Sequence, residues 1–214
     1  MQRFPRFLAP AFRGAFSIMH DRTASLLRQT RYPVFHSHEY NQTGADFGTR
    51  ITNAVAQVFE QGYRSVLVVG NDCPDLSLAE LKKAISLLDA GHNVLGPSTD
   101  GGAYLIGLQQ EAFDPAVLQR LPWSTSKLFP ALRQHLADAG TATTQLLQPH
   151  TDLDHAESIR RWLKHGVHSL HKKLGTLLRA LLAIAPPELW VVLLPPVMRS
   201  VAISISLRGP PRYA

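Results

Sequence analysis

The chain has 214 residues, 45% of them hydrophobic, which suits one packed α/β domain with or without an extension and excludes a disordered chain. Its formal net charge of +6 contains no block of five or six like charges. That argues against a nucleic-acid-binding tail and leaves attraction to anionic ligands such as nucleotides, or to a membrane surface.

Met1 to Arg6 carries no apolar signal-peptide core, and no stretch approaches the roughly 20 apolar residues of a membrane span. The single cysteine, Cys73, allows no intrachain disulfide and fits a reducing, cytoplasmic setting. Residues 16–30 suit a helix with Phe16, Met19, Leu26 and Leu27 as apolar positions, and 32–36 reads as a short strand. Phe47, Ile51, Ala54, Val55, Val58 and Phe59 recur at helical spacing, so 46–60 is an amphipathic helix that stops at Gly62. The β-branched run from Ser65 to Gly70 is a buried strand. A helix over 77–89, strands at 93–96 and 103–106, a helix over 125–138, a strand at 144–147 and a helix over 155–164 follow. Strands alternating with helices predict an α/β fold with a mostly parallel sheet.

Composition changes near residue 165. Leu170, Leu174, Leu177, Leu178, Leu181 and Leu182 give a Leu-rich amphipathic helix ended by Pro186 and Pro187. Residues 201–207 alternate apolar side chains with Ser, and the tail from Arg208 looks unstructured. Residues 1–165 are therefore read as one domain and 166–214 as an extension. The extension either packs back on the domain or provides, through 166–207, a peripheral membrane or homodimer contact.

Gly70-Asn71-Asp72-Cys73-Pro74-Asp75-Leu76 lies at the carboxyl end of the buried strand, where open α/β sheets bind ligands. Two carboxylates around a Pro-turn could hold Mg²⁺ or Mn²⁺ against a phosphate, or could be solvated turn acids. Asp46, Gly48 and Arg50 open a helix after Gly44; an arginine there could grip a phosphate or a base carbonyl, or the segment is a capped loop. Asp100-Gly101-Gly102 fits a turn needing positive φ, or a ligand-facing acid with bare amides beside it. Ser124 or Thr125 is expected as an N-cap, with a substrate contact as the other reading. Asp154 and Glu157 have capping-box spacing, which leaves Asp152 as the freer carboxylate for a site shared with Asp72. His165, His168 and His171 drift around a helix rather than converge, which argues against zinc. The chain lacks a Gly-x-Ser-x-Gly elbow, which argues against a serine hydrolase.

The order of these pieces is itself informative. Gly44 to Arg50, Gly70 to Leu76, Gly96 to Leu108, Pro122 to Ser126 and Asp152 to Asp154 form a series. It resembles the GT-A-like glycosyltransferase family that includes the radical-SAM/selenodomain-associated transferases, over about residues 16–165. The resemblance implies a three-layer, Rossmann-like nucleotide-diphospho-sugar transferase fold. It also implies Mg²⁺ or Mn²⁺, a nucleotide or sugar-nucleotide donor and an acceptor of unknown identity. Asp72 matches the metal-binding acid after the central strand, and Asp152 or Asp154 the distal carboxylate of the same metal. Asp72 and Asp100 are then the catalytic candidates, with Gly44, Arg50, Asn71, Gly101, Gly102 and Ser124 on the nucleotide and substrate sides. The chemistry is displacement at an anomeric carbon or, as in cofactor nucleotidyltransferases, at phosphorus.

One feature departs from the family. Members begin with an apolar strand and a basic phosphate-cradling loop, whereas this chain opens on Arg6-Phe7-Leu8-Ala9-Pro10 with no strand before it. An N-terminally truncated fold is the expectation, with the strand at 65–70 short of one partner. A catalytically degenerate binding or scaffold module is the alternative function.

Overall fold

A computed structural model describes residues 9–37, 41–140, 142–153, 156–164, 172–184 and 201–206. In chain order the elements are α1 (Ala9–Thr30), β1 (Val34–Ser37), α2 (Phe47–Glu60), β2 (Ser65–Val69), α3 (Leu78–Asp89), β3 (Asn93–Pro97), β4 (Ala103–Gln109), α4 (Pro115–Arg120), α5 (Leu128–Ala139), β5 (Thr144–Leu146), α6 (Ala156–Lys164), α7 (Lys172–Ile184) and β6 (Val201–Ser206).

The sheet order is β1-β6-β2-β4-β3-β5. Every residue of β2 is buried, as its β-branched run predicts, and the period-2 pleat sends alternate side chains to opposite faces. Val66 and Val68 join Ile51, Val55 and Val58 of α2 and Leu132 and Leu136 of α5. Leu67 and Val69 join Leu26 and Leu27 of α1 and Leu81, Ile85 and Leu88 of α3. Helices on both faces make a three-layer α/β arrangement. A third apolar cluster lies on α1, where Ala15 and Met19 meet Ile159 and Trp162 of α6 and Leu174, Leu178 and Leu181 of α7.

Two expectations are corrected by the sheet. It is mixed rather than mostly parallel: β1, β2, β3 and β5 point one way, but only β3–β5 is a parallel pairing among the described strands. The reason is partly local. Only Ser98 to Gly102 separate β3 from β4, and a parallel crossover needs a dozen or more residues, so β4 must return antiparallel. The strand at 65–69 also does not lack a partner. β6 runs antiparallel between β1 and β2, pairing Ser37 with Val201 on one side and Val69 with Ala202 on the other. The helix α7 packs against α1 through the third cluster.

Candidate functional site

The carboxyl ends of β1, β2, β3 and β5 share one edge of the sheet, and the segments read as ligand-facing lie along it in contact with one another. Trp123 meets Phe47 at the start of α2 edge-on, with ring centroids 5.4 Å apart, and its indole N–H donates to the Leu118 carbonyl at 2.8 Å. A side chain at Gly48 would sit 2.7 Å from Trp123, so glycine lets α2 approach this segment. The peptide N–H of Phe129 donates to the Gly101 carbonyl at 2.9 Å, joining the 122–129 segment to the 98–102 turn. That turn meets the 150–152 segment through the Thr99 N–H and the His150 carbonyl (2.9 Å), and through the Ser98 hydroxyl donating to Asp152 Oδ2. The Leu153 N–H then donates to the Asp72 carbonyl at 2.9 Å, which brings the last segment to the turn after β2.

Asp72 is half-buried, and its Oδ1 lies so close to Gly70 that a Cβ there would be 2.8 Å away. Asn71 is half-buried beside it. Asp75 has a structural tie, accepting the Trp162 indole N–H on Oδ2 at 2.9 Å. Arg22 of α1 donates from Nε to the Pro74 carbonyl at 2.8 Å and from Nη2 to the Leu76 carbonyl at 2.9 Å. Between these groups Cys73 is buried, and burial, followed by the charges of Asp152, Asp72 and Asp75, pushes its thiol well above the usual range. The charges of Asp152, Asp72 and Asp75 thus all reach the buried thiol.

Asp152 is held rather than free: Oδ2 accepts the Ser98 hydroxyl and Oδ1 is shielded from solvent. Asp154 lies outside the described residues, as do His155, His165, His168 and His171. Asp100 is exposed, and its Oδ1 accepts the Gly102 N–H at 2.9 Å, so this acid shapes its own turn. Gly101 has φ +93°, and a Cβ there would overlap the Ser126 carbonyl. Gly44 has φ +135° and packs on Thr49, while Asp46 caps α2 by accepting the Thr49 N–H at 2.7 Å. That bond holds the Asp46 carboxyl below its ordinary value. Arg50 lines a small cleft of about 110 Å³ between β1 and α2, with Phe35, Asn41 and Gln57. Ser124 is exposed in a left-handed conformation, φ +60°. Neither it nor Thr125 caps α5: the Thr125 hydroxyl donates to the Pro122 carbonyl, and the helix begins after Lys127.

Sequence reasoning missed Arg22, Ser98 and the pair Glu80–His150. Glu80 closes the N-terminal capping box of α3 with Ser77 and meets His150 Nε2 at 2.6 Å. Burial raises its carboxyl, but the hydrogen bonds from Ser77 and His150 outweigh burial and hold it below the ordinary value. Tyr104, its phenol pushed up by burial, stacks near His150 with centroids 4.9 Å apart.

Among the described residues, no three His, Cys, Asp or Glu side chains converge as a ready ligand set for a metal. Asp72 and Asp152 are hard oxygen donors on adjoining segments. Such a pair suits a cation that is completed by substrate phosphates and water, as Mg²⁺ usually is, rather than one held in an all-protein cage. No helix among the described residues is long and apolar enough to cross a membrane.

The family described as "Uncharacterized protein conserved in bacteria (DUF2064)" matches residues 13–125, more than half of the chain. The crystal structure of a protein from Desulfovibrio desulfuricans G20, provisionally named a nucleotide-diphospho-sugar transferase, superposes with a TM-score of 0.53 at 26% identity. The similarity covers 66% of this chain and 62% of that protein. No curated protein matches.

Proposed function

The chain belongs to the DUF2064 family, and we propose that it is a metal-dependent transferase that takes a sugar nucleotide as donor. The observation that carries this reading is the Asp72 turn: it leaves the carboxyl end of β2 and is joined by the Asp152 segment. The likeness to a protein named for nucleotide-sugar transfer supports it. Within the family, the motif order supports a place near the radical-SAM-associated glycosyltransferase type.

In this reading Asp72 and Asp152 hold Mg²⁺ or Mn²⁺, and Asn71, Gly101, Gly102 and Ser124 border the substrate. Arg50 and Gly44 stand toward the nucleotide, on the far side of β6 from Asp72. A bound cation would supply charge neutralisation to the diphosphate as it leaves. The chain's own contribution is to fix the two carboxylates: the Ser98 hydroxyl orients Asp152, and the Leu153 N–H locks the peptide of Asp72.

Thermal unfolding with UDP-, GDP- and ADP-sugars, with and without MnCl₂, tests the proposal. A ligand at about 100 times its Kd adds about 2.7 kcal/mol, or roughly 5–10 °C for a chain of this size. The rise should need both nucleotide and metal; no rise with any of these ligands refutes it. A response to nucleoside triphosphates instead of sugar nucleotides moves the assignment to nucleotidyl transfer.

One observation favours a second reading, a binding module without turnover. Between β1 and β2 stands β6, which runs antiparallel and so brings its amino end to the ligand edge. A parallel strand there would deliver a strand-to-helix loop with backbone amides for phosphate. Metal-dependent binding with no donor hydrolysis or transfer would support the module.

A further inference from the structure

We infer that Arg22 and Trp162 are positioning residues that clamp the turn after β2 and so fix where Asp72 presents its carboxylate. The inference deepens the transferase reading and rests on it for its ligand consequence, but the clamp itself is carried by independent geometry. Arg22 lies on α1 three residues after Met19 and four before Leu26, in line with the side that faces the core. Its guanidinium bonds two peptide carbonyls, Pro74 and Leu76, one on each side of Asp75. A planar fork can hold both at once; a lysine ammonium on a flexible stem lacks that geometry.

Trp162, 4% exposed in the third cluster, donates its indole N–H to the Asp75 carboxylate between those two carbonyls. Three successive residues, Pro74, Asp75 and Leu76, are thus each held by a side chain from a helix 52 to 87 positions away. With the Leu153 N–H on the Asp72 carbonyl, the turn is fixed at both of its ends. Arg22 and Trp162 belong to α1 and α6, which pack with α7, so the order of that outer cluster reaches the ligand edge through these two side chains.

Cys73 is a built-in reporter, being the single cysteine of the chain, inside the clamped turn and 3% exposed. Labelling by excess DTNB at one pH reads the opening of the turn. Arg22→Ala and Trp162→Phe should each speed labelling at least about tenfold beyond Leu136→Ala, a core variant of the opposite layer brought by temperature to the same margin below its Tm. Arg22→Lys should restore only part of the protection. Labelling that merely follows global stability in all four variants overturns the clamp.

A second arm uses MnCl₂ with UDP. If wild type is stabilised, the two clamp variants should lose most of the shift while remaining folded, and retention of the full shift overturns the positioning role. If UDP does not stabilise wild type, the arm is run with the GDP- and ADP-sugars; if none stabilises it, the transferase reading fails, and the labelling result alone decides the clamp.

Discussion

Gly101 distinguishes a glycine required by packing from one required by a ligand. Its φ of +93° lies where residues with a Cβ rarely go, at a cost of about 1–3 kcal/mol. A Cβ there would also overlap the Ser126 carbonyl oxygen and lie 2.8 Å from its carbonyl carbon, so backbone rather than a swinging side chain must yield. The turn cannot relax cheaply, because the Gly101 N–H donates to Ser98 at 3.1 Å and its carbonyl accepts from Phe129 at 2.9 Å. Overpacking of this kind adds about 1–3 kcal/mol. Gly101→Ala should therefore cost about 2–6 kcal/mol, a fall in Tm of roughly 5–20 °C at 2–4 °C per kcal/mol for this chain length. Gly102 is the internal control: a Cβ there meets Asp100 Oδ1, a side-chain end, at 3.1 Å, and the Ser98 side chain at an ordinary 3.7 Å. Gly102→Ala should cost less than about 1 kcal/mol. Thermal unfolding by circular dichroism of both variants reads the difference. A Gly101→Ala protein with Tm within about 2 °C of wild type, or equal losses at the two positions, would refute the reasoning.

Three further outcomes follow from the same geometry. Gly70→Ala should push the Asp72 carboxylate, whose Oδ1 would be 2.8 Å from the new Cβ, and lower Mn²⁺-dependent UDP affinity at least about tenfold by calorimetry with little loss of Tm. Unchanged affinity would remove Asp72 from the metal site. The depressed carboxyl of Glu80 gives stability that is present above its unfolded value and lost as pH falls through the lower folded value. Glu80→Gln should accordingly flatten the acid limb of a Tm–pH curve below about pH 4.3, and parallel curves for the two proteins would refute it. Removal of residues 201–214 takes away β6, the strand between β1 and β2, and exposes a long apolar edge on β2. The shortened chain should aggregate or unfold at least about 10 °C lower by light scattering and calorimetry, because an unpaired hydrophobic edge templates association.

Much of the layer structure was legible in local sequence, because burial is written in period: the β-branched run of β2 and the 3.6-residue spacing of α2 each specify one element. The edge that carries the candidate site was legible too, since acids and glycines cluster after strands. What local pattern cannot carry is pairing between distant segments. Residues 201–207 alternate in the same way whether the strand runs with its neighbours or against them, so the direction of β6 was hidden. Arg22 reads as an ordinary polar position of a helix until Pro74 and Leu76 are seen beside it. Asp152 looked free because its partner, Ser98, is 54 residues away. Some signals were present and passed over. Asp114-Pro115 is an N-cap followed by Pro at the first helical position, and it does open α4, whose six residues are too few to show periodicity. The short connection between β3 and β4 likewise announced an antiparallel pair.

The caps of the helices bear on how this edge could tolerate a diphosphate. A helix N-terminus attracts phosphate through its unpaired amides and its dipole. At α2, Asp46 already accepts the Thr49 N–H; at α3, Ser77 accepts the Glu80 N–H while Glu80 returns a bond to the Ser77 N–H. The helices that follow β1 and β2 therefore offer an incoming anion fewer amides, and each carries a carboxylate in its first turn or at its cap. Asp72, Asp75 and Asp152 add negative charge around Cys73. An anionic donor approaching this edge meets carboxylate repulsion unless a cation lies between; Arg50 is the basic side chain that the proposed function puts toward the nucleotide. Under the proposed function the cation has to be supplied from solution, so binding should respond to metal withdrawal more steeply than to any single substitution. Nucleotide affinity that survives EDTA undiminished would mean that the carboxylates around Cys73 serve the fold of the turn and not the ligand.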